Sequence, residues 1–192
     1  MIKQPVILAS QSPRRQELIR LFCENVDVCP SQAEEIIPEK LLPYPDKVSM
    51  HLAKIKAKDL ANKYPDRVII GADTVVSIDG QILGKPKDPA DARRMLSLLS
   101  GKTHVVYTGV CILNGGQEDC FCDGTAVSFY PLSEQEIASY IASGEPFDKA
   151  GAYGIQGKGA TLITGIDGDY FSVVGLPVSM LYTMLDELGQ LE

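Results

Sequence analysis

Short apolar runs of β type, each closed by a turn or cap signal, alternate with stretches of helical periodicity along the whole 192-residue chain. That alternation points to an α/β or a mixed α+β core in which helices cover a sheet. Pro5–Ala9 (PVILA) reads as a buried strand that turns at Ser10-Gln11-Ser12 into a helix over 13–22, with Ser12 as N-cap and Pro13 at the first helical position. A loop rich in Glu and Pro covers 30–45, a helix spans 46–63, and a strand follows over Arg67–Gly71. VVSIDGQIL forms a hairpin turning at Asp79-Gly80, and the next helix starts after Pro89 and runs to Leu99.

Strand patterns over His104–Leu113 and Glu118–Tyr130 are joined by Asn114-Gly115-Gly116, so the sheet is not purely parallel. Ser133-Glu134-Gln135-Glu136 fits a capping box that opens a helix reaching Ser143. The glycine-rich stretch Gly151–Gly159 gives way to a strand pair over 160–164 and 169–174, turning at Asp167-Gly168, and a final helix begins near Pro177. Leu96 and Leu99, and Leu181, Leu185 and Leu188, form helical stripes that read as core. A chain of this size buries roughly 70% of its extended surface, enough for one large domain or two tightly joined lobes.

Charge narrows the function. The net charge of −7 argues against nonspecific binding to nucleic acid or to an anionic membrane. Yet residues 1–102 hold 16 basic and 13 acidic side chains, whereas residues 103–192 hold 2 and 12. An acidic chain that gathers its cations in one half has them available for a local anion. Five cysteines without CxxC or a zinc-type His-Cys spacing fit a reducing cytosol. The apolar stretch at the start is too short for a secretory signal, and no run approaches the roughly 18 residues that span a membrane; a cytoplasmic, soluble protein is expected.

Ser12-Pro13-Arg14-Arg15 places two arginines in the first turn of a helix, where the dipole favours acids. The conflict disappears if an anion docks where backbone N–H groups, a serine hydroxyl and guanidinium forks converge; alternatively, both arginines splay into solvent or pair with Glu17 or Glu24. Lys56 on the second helix and Lys85 in Gly84-Lys85-Pro86 are positions from which an ammonium reaches a phosphate. Asp73 follows the buried run Val68-Ile69-Ile70, putting a carboxylate at a strand's carboxyl end, or simply capping a turn. Glu34 and Glu35 sit in a long loop, as hard oxygen ligands for a divalent metal or as solvated charge.

Several other motifs fail. Ser100-Gly101-Lys102-Thr103 ends like a P-loop, but the glycine that motif requires at position 96 is Leu96. Glycines 151, 154, 157 and 159 do not spell GxGxxG. With no GxSxG or HExxH, and only His51 and His104, nucleophilic and zinc-dependent hydrolysis are disfavoured. Phosphate-binding cations with carboxylates remain, the equipment of metal-assisted phosphoanhydride hydrolysis.

LASQSPRRQEL at 8–18, GADT at 71–74, GKP at 84–86, SGKTHVVYTGV at 100–110, and DKAGAYGIQGKGA followed by GDYFSVVGLP within 148–177 resemble the Maf (septum-formation) family of nucleoside triphosphate pyrophosphatases, nearly end to end and in family order. The resemblance implies a single domain, 1–192, of mixed α/β fold with two lobes and a nucleotide cleft between them. It further implies hydrolysis of a nucleoside triphosphate to monophosphate and pyrophosphate with a divalent metal, Mg²⁺ or Mn²⁺, in a homodimer. Carried onto matching positions, Asp73 is the catalytic proton acceptor and a metal ligand, and Glu35 is a second metal ligand. Ser10, Arg14, Arg15, Lys56 and Lys85 surround the triphosphate, and Arg14, Thr74 and Gln156 set base preference. GAYGIQG is the version of the dTTP/UTP branch. A glutamine amide, both donor and acceptor, suits the imide edge of uracil or thymine. The family's 7-methyl-GTP branch, and a nucleotide-binding regulator of cell division with little turnover, are the alternatives. Two departures stand out: Lys158 replaces the apolar residue common after GIQG, and His51–Lys56 (HLAKIK) is a looser match that leaves Lys54 as an alternative to Lys56.

Overall fold

Val6, Ile7 and Leu8 are almost wholly buried, as are Val68, Ile69 and Ile70, so these two runs belong at the centre of a sheet covered on both faces. The computed structural model describes residues 5–191 and places them there. Strand β1 (Val6–Leu8) lies between two parallel neighbours, β2 (Val26–Val28) and β3 (Val68–Ile78). The sheet continues antiparallel through β5 (Thr103–Asn114), β6 (Gln117–Phe129) and β7 (Ile163–Asp167), while the short β4 (Gln81–Leu83) pairs with β3. Among the described residues six α-helices cover it: α1 (Pro13–Ile19), α2 (Pro45–Ala61), α3 (Pro89–Leu99), α4 (Glu134–Ala142), α5 (Tyr170–Val174) and α6 (Val178–Glu187). The mixed α/β class is as expected.

Side chains alternate along β3 and divide the core. Ile69 packs with Ala53, Ala57 and Leu60 of α2, and Val75 with Val48 and Leu52 of the same helix. Ile70 and Ala72 point the other way, into a cluster with Leu18, Ile19, Leu181 and Leu185, and Val76 packs with Leu96 and Leu99 of α3. Helix α2 approaches the sheet unusually closely. A Cβ on Gly71 would lie 2.1 Å from the Ala53 carbonyl oxygen, and one on Gly109 would lie 2.4 Å from the Met50 nitrogen.

Three local expectations need correction. Strand β3 does not stop at Gly71 but runs on through Asp73 and Thr74 to Ile78, because the facing strand β5 pairs with it from Ile69 to Ser77. Helix α1 ends at Ile19, not at 22. The expected strand pair after the glycine-rich stretch is a 3₁₀-helix (Gly157–Leu162), strand β7 and helix α5. Asp169 decides the last of these, since its carboxylate accepts the Phe171 N–H at 2.9 Å and starts a helix where periodicity suggested a strand. Strand β2 was not expected from the sequence, whereas the turn and cap signals match: Asp79 and Gly80 both have positive φ in a two-residue hairpin turn, and Ser133 and Glu136 close a capping box.

One edge of β3 is occupied by β5. On the other edge β1 pairs only with Val68–Ile70 and β4 only with Val76–Ile78. Among the described residues no strand pairs with Gly71–Val75 there, which leaves an opening in the sheet.

Two outcomes follow from this packing. Gly71→Ala should lose roughly 3 kcal/mol or more of unfolding free energy in urea, because the helix backbone must move away, whereas Gly84→Ala, with open space at its Cβ, should change little. His104, buried with Nε2 2.7 Å from the Tyr153 hydroxyl, has its pKa pushed by burial from 6.5 down to about 4. The unfolded histidine takes up its proton first, so stability present above pH 6.5 is lost as pH falls toward about 4, by about 3 kcal/mol in all. His104→Phe should flatten that slope of unfolding free energy against pH; an equal slope in the variant would count against the assignment.

Candidate active site

The loops that leave the carboxyl ends of β1 and β2 converge on the opening in the sheet, the place where open α/β sheets gather ligands. After β1, Ser10 accepts the Ser12 N–H at 3.2 Å, and Ser12 caps α1 by accepting the Arg15 N–H at 3.4 Å. The chain beyond β2 is pinned across α2: Asp59 accepts from the Gln32 N–H at 2.7 Å and the Ser31 hydroxyl at 2.9 Å, and these bonds hold its carboxyl below the ordinary range. His51 adds a contact to the Ile36 carbonyl at 3.1 Å. The segment so anchored delivers Glu35.

On the α2 face, the Lys56 ammonium bridges two carboxylates, Asp73 Oδ1 and Glu35 Oε1, the latter at 3.0 Å. The Lys56 and Asp73 side chains are only 14% and 13% exposed, while that of Glu35 is 52% exposed, so the pair faces solvent through Glu35. Lys54 points elsewhere and shares Glu118 with Lys58. Glu34 is exposed and forms no ion pair among the described residues. The close approach allowed by Gly71 puts Lys56 within reach of Asp73, two residues along the same face of β3.

On the opposite face lies Arg15, neither splayed nor paired with Glu17. Its Nε donates to the Gly175 carbonyl at 2.7 Å, one terminal nitrogen to Thr74 Oγ1 at 2.9 Å and the other to Ser10 Oγ at 3.5 Å. Burial lowers its pKa, and the Asp73 carboxylate pushes it back up. At least two of its five N–H donors stay uncommitted. Thr74 Oγ1 also lies 2.8 Å from Thr108 Oγ1, which donates to the Ser172 carbonyl at 2.8 Å. Arg14 pairs with Asp148 at 2.8 Å.

Asp148 closes the 3₁₀ turn Glu145–Asp148, whose first residue organises the next loop. Glu145 accepts the Lys158 N–H at 3.0 Å and the Gly159 N–H at 3.3 Å, and Gln156 stands exposed just before them. The side chains of Gln156, Lys158 and Lys85 make no hydrogen bond or ion pair among the described residues. Gly84, next to Lys85, is tied to the same region, its carbonyl accepting the Gly151 N–H at 3.0 Å. The structure therefore gathers Glu35, Lys56 and Asp73 on one face of β3 and Ser10, Arg15 and Thr74 on the other, and sets Arg14, Lys85 and Gln156 around the 3₁₀ turns.

Sequence reasoning did not single out Thr108, Asp148 or Glu145. Thr108 becomes visible only with the β3–β5 register, which sets it directly opposite Thr74; Asp148 and Glu145 look like two of many acids in an acidic half. A separate open groove of about 430 Å³ over α2, lined by Ala33, His51, Lys54, Ile55, Lys58 and Asp59, includes none of the residues gathered here, only Lys54, the alternative to Lys56.

Guanidinium and ammonium groups thus stand beside paired carboxylates at an opening in the sheet of a mixed α/β protein. The model of the Maf-like protein family matches residues 5–188, and the chain belongs to that family. A dTTP/UTP pyrophosphatase of Agathobacter rectalis is 51% identical over 202 aligned residues, covering 96% of this chain and 97% of that protein. Proteins of the same name from Bacillus pumilus and Carboxydothermus hydrogenoformans are 50% and 49% identical, each over 96% of this chain and 96% and 98% of their own.

The two lysine sites should differ in stability. Lys56→Met strands a largely buried Asp73 carboxylate and should cost about 2 kcal/mol or more, whereas Lys54→Met breaks an exposed pair worth under about 1 kcal/mol. Urea unfolding of the two variants at low salt checks the difference.

Proposed function

We propose that this chain hydrolyses dTTP and UTP to the monophosphate and pyrophosphate. The observation that carries the reading is the meeting of Asp73 and Glu35 at one ammonium, beside Arg15, in relatives' company at about half identity over nearly full length. A protein that merely held a nucleotide would need the cations alone; the paired carboxylates favour turnover.

Among the described residues no group of three or more His, Cys, Asp or Glu side chains could hold a metal. Two carboxylates that already attract a shared cation do fit Mg²⁺ or Mn²⁺, since Mg²⁺ takes one or two protein carboxylates and completes its shell with water and substrate phosphates. Glu35 and Asp73 are the residues that would hold it, and its chemistry there is to neutralise charge on phosphate oxygens. Arg15 and Lys56 supply cations from opposite sides of the opening, and Ser10, Arg14 and Lys85 complete the phosphate cradle. Asp73 takes the proton of the attacking water as its oxygen bonds to the α-phosphorus. The bond to the bridging oxygen breaks, and pyrophosphate leaves with the electron pair.

Arg14, Thr74 and Gln156 select the base in this reading. The Gln156 amide, without a side-chain partner among the described residues, offers N–H donors to a carbonyl oxygen of thymine or uracil. The same proposal has the enzyme at work as a cytoplasmic homodimer of one two-lobed domain. Five free thiols suit the reducing compartment of that reading; its homodimer and two lobes rest on the family resemblance.

The test is an assay of dTTP and UTP with Mg²⁺ or Mn²⁺, following both phosphate products. Pyrophosphate and monophosphate should appear together, and Asp73→Asn should lower kcat by about 10²-fold or more with a much smaller change in KM. Release of orthophosphate alone, or an unreactive wild-type enzyme, would overturn the proposal.

A further inference from the structure

We propose that Thr108 is a positioning residue: it fixes which way the Thr74 hydroxyl points, so that Thr74 shows a ligand only an accepting lone pair and favours a base with a ring N–H. The inference rests on the reading above that Thr74 touches the base, and it assigns a cause to the choice of uracil or thymine over cytosine.

Single hydrogens decide the direction of these contacts. Each threonine hydroxyl has one hydrogen and two lone pairs. Helix α5 ends with carbonyls that need donors, and the next two backbone N–H groups, of Gly175 and Leu176, both go to the Phe171 carbonyl, at 2.9 and 3.0 Å. The Ser172 carbonyl is left to Thr108, whose hydroxyl donates to it at 2.8 Å. Thr108 is fully buried, so its hydrogen stays on that carbonyl; turning it away would leave a buried acceptor unpaired.

With the Thr108 hydrogen spent, the 2.8 Å contact between the two hydroxyls has one solution: Thr74 donates and Thr108 accepts. Arg15 then occupies one Thr74 lone pair, donating to it at 2.9 Å. One lone pair remains, on a residue that is half-buried rather than sealed. The chain of donors runs in a single direction, from Arg15 to Thr74 to Thr108 to the Ser172 carbonyl. Thr108 itself, at 0% exposure, touches no ligand and acts only through Thr74.

The consequence is a sign. The N3–H of uracil or thymine donates to the free lone pair of Thr74, whereas the bare N3 of cytosine presents a lone pair to a lone pair. A hydroxyl free to rotate would serve either base, because it would donate to cytosine and accept from uracil.

The test compares kcat/KM for UTP and CTP in the wild type, Thr108→Val, Thr108→Ser and Thr74→Val. Thr108→Val frees the Thr74 hydrogen and should lower the UTP-to-CTP ratio by about tenfold or more, while Thr108→Ser keeps the donor and the wild-type ratio. A role in packing alone would lower both substrates alike and leave the ratio in place. If Thr108→Val does not fold, Thr108→Cys, a weak donor, replaces it and should move the ratio in the same direction. A ratio unchanged in the Thr108 variant but altered in Thr74→Val overturns the role of Thr108 and leaves Thr74 at the base. An unchanged ratio in Thr74→Val overturns the placement of Thr74 itself.

Discussion

The contact on which this molecule depends is the approach of helix α2 to strands β3 and β5 over Gly71 and Gly109. Neither position has room for a methyl group, since the helix backbone occupies the space that a Cβ would fill. The two glycines stand on adjacent strands; Ala53 and Ala57 of the helix lie over Gly71, and the backbone of Ser49 and Met50 lies over Gly109. Small residues on both sides bring the two backbones together, and a lysine long enough to reach past the helix then meets an aspartate on the sheet. An ordinary helix-to-sheet distance would have left Lys56 paired at the surface, as Lys54 is with Glu118.

A second constraint is the interruption of the sheet edge. Parallel strands β1 and β2 deliver their following segments to the same end, and β3 alone continues beyond them. Its central residues are held by β5 on one side only, so Asp73 and Thr74 are at once rigid and reachable. Catalytic groups fixed on regular strands hold their geometry through hydrogen bonds they do not themselves make. The cations come from the elements around this fixed centre: Arg14 and Arg15 from α1, Lys56 from α2 and Lys85 from the segment after β4.

Much of this was legible in the sequence, and the reasons differ from residue to residue. Ser12, Pro13 and the two arginines after them announce a capped helix carrying charge against its dipole, and Arg15 is held in the site by three oxygen acceptors. Asp79-Gly80 and Ser133–Glu136 carry their turn and cap chemistry in their own composition, and both form as read. The extent of β3 was not legible, because GADT resembles a turn and only the pairing with β5 keeps it extended. Helix α5 was missed because Tyr170–Val174 has strand-like residues, and the cap at Asp169 outweighs them over so short a span. Thr108 could not be singled out at all: its meaning lies in a register that places it opposite Thr74 and in a carbonyl from a helix 64 residues away.

Asp73 and Thr74 are neighbours in sequence but face opposite sides of one strand. The two tasks assigned to them therefore share a backbone and almost no side-chain surroundings: one is embedded under α2, the other among Arg15, Thr108 and α5. Substitutions around Thr74 and Thr108 fall on the face of β3 away from Lys56 and Glu35. A one-residue insertion or deletion upstream within β3 would exchange the two compartments outright, which makes this strand the part of the protein least able to change its length.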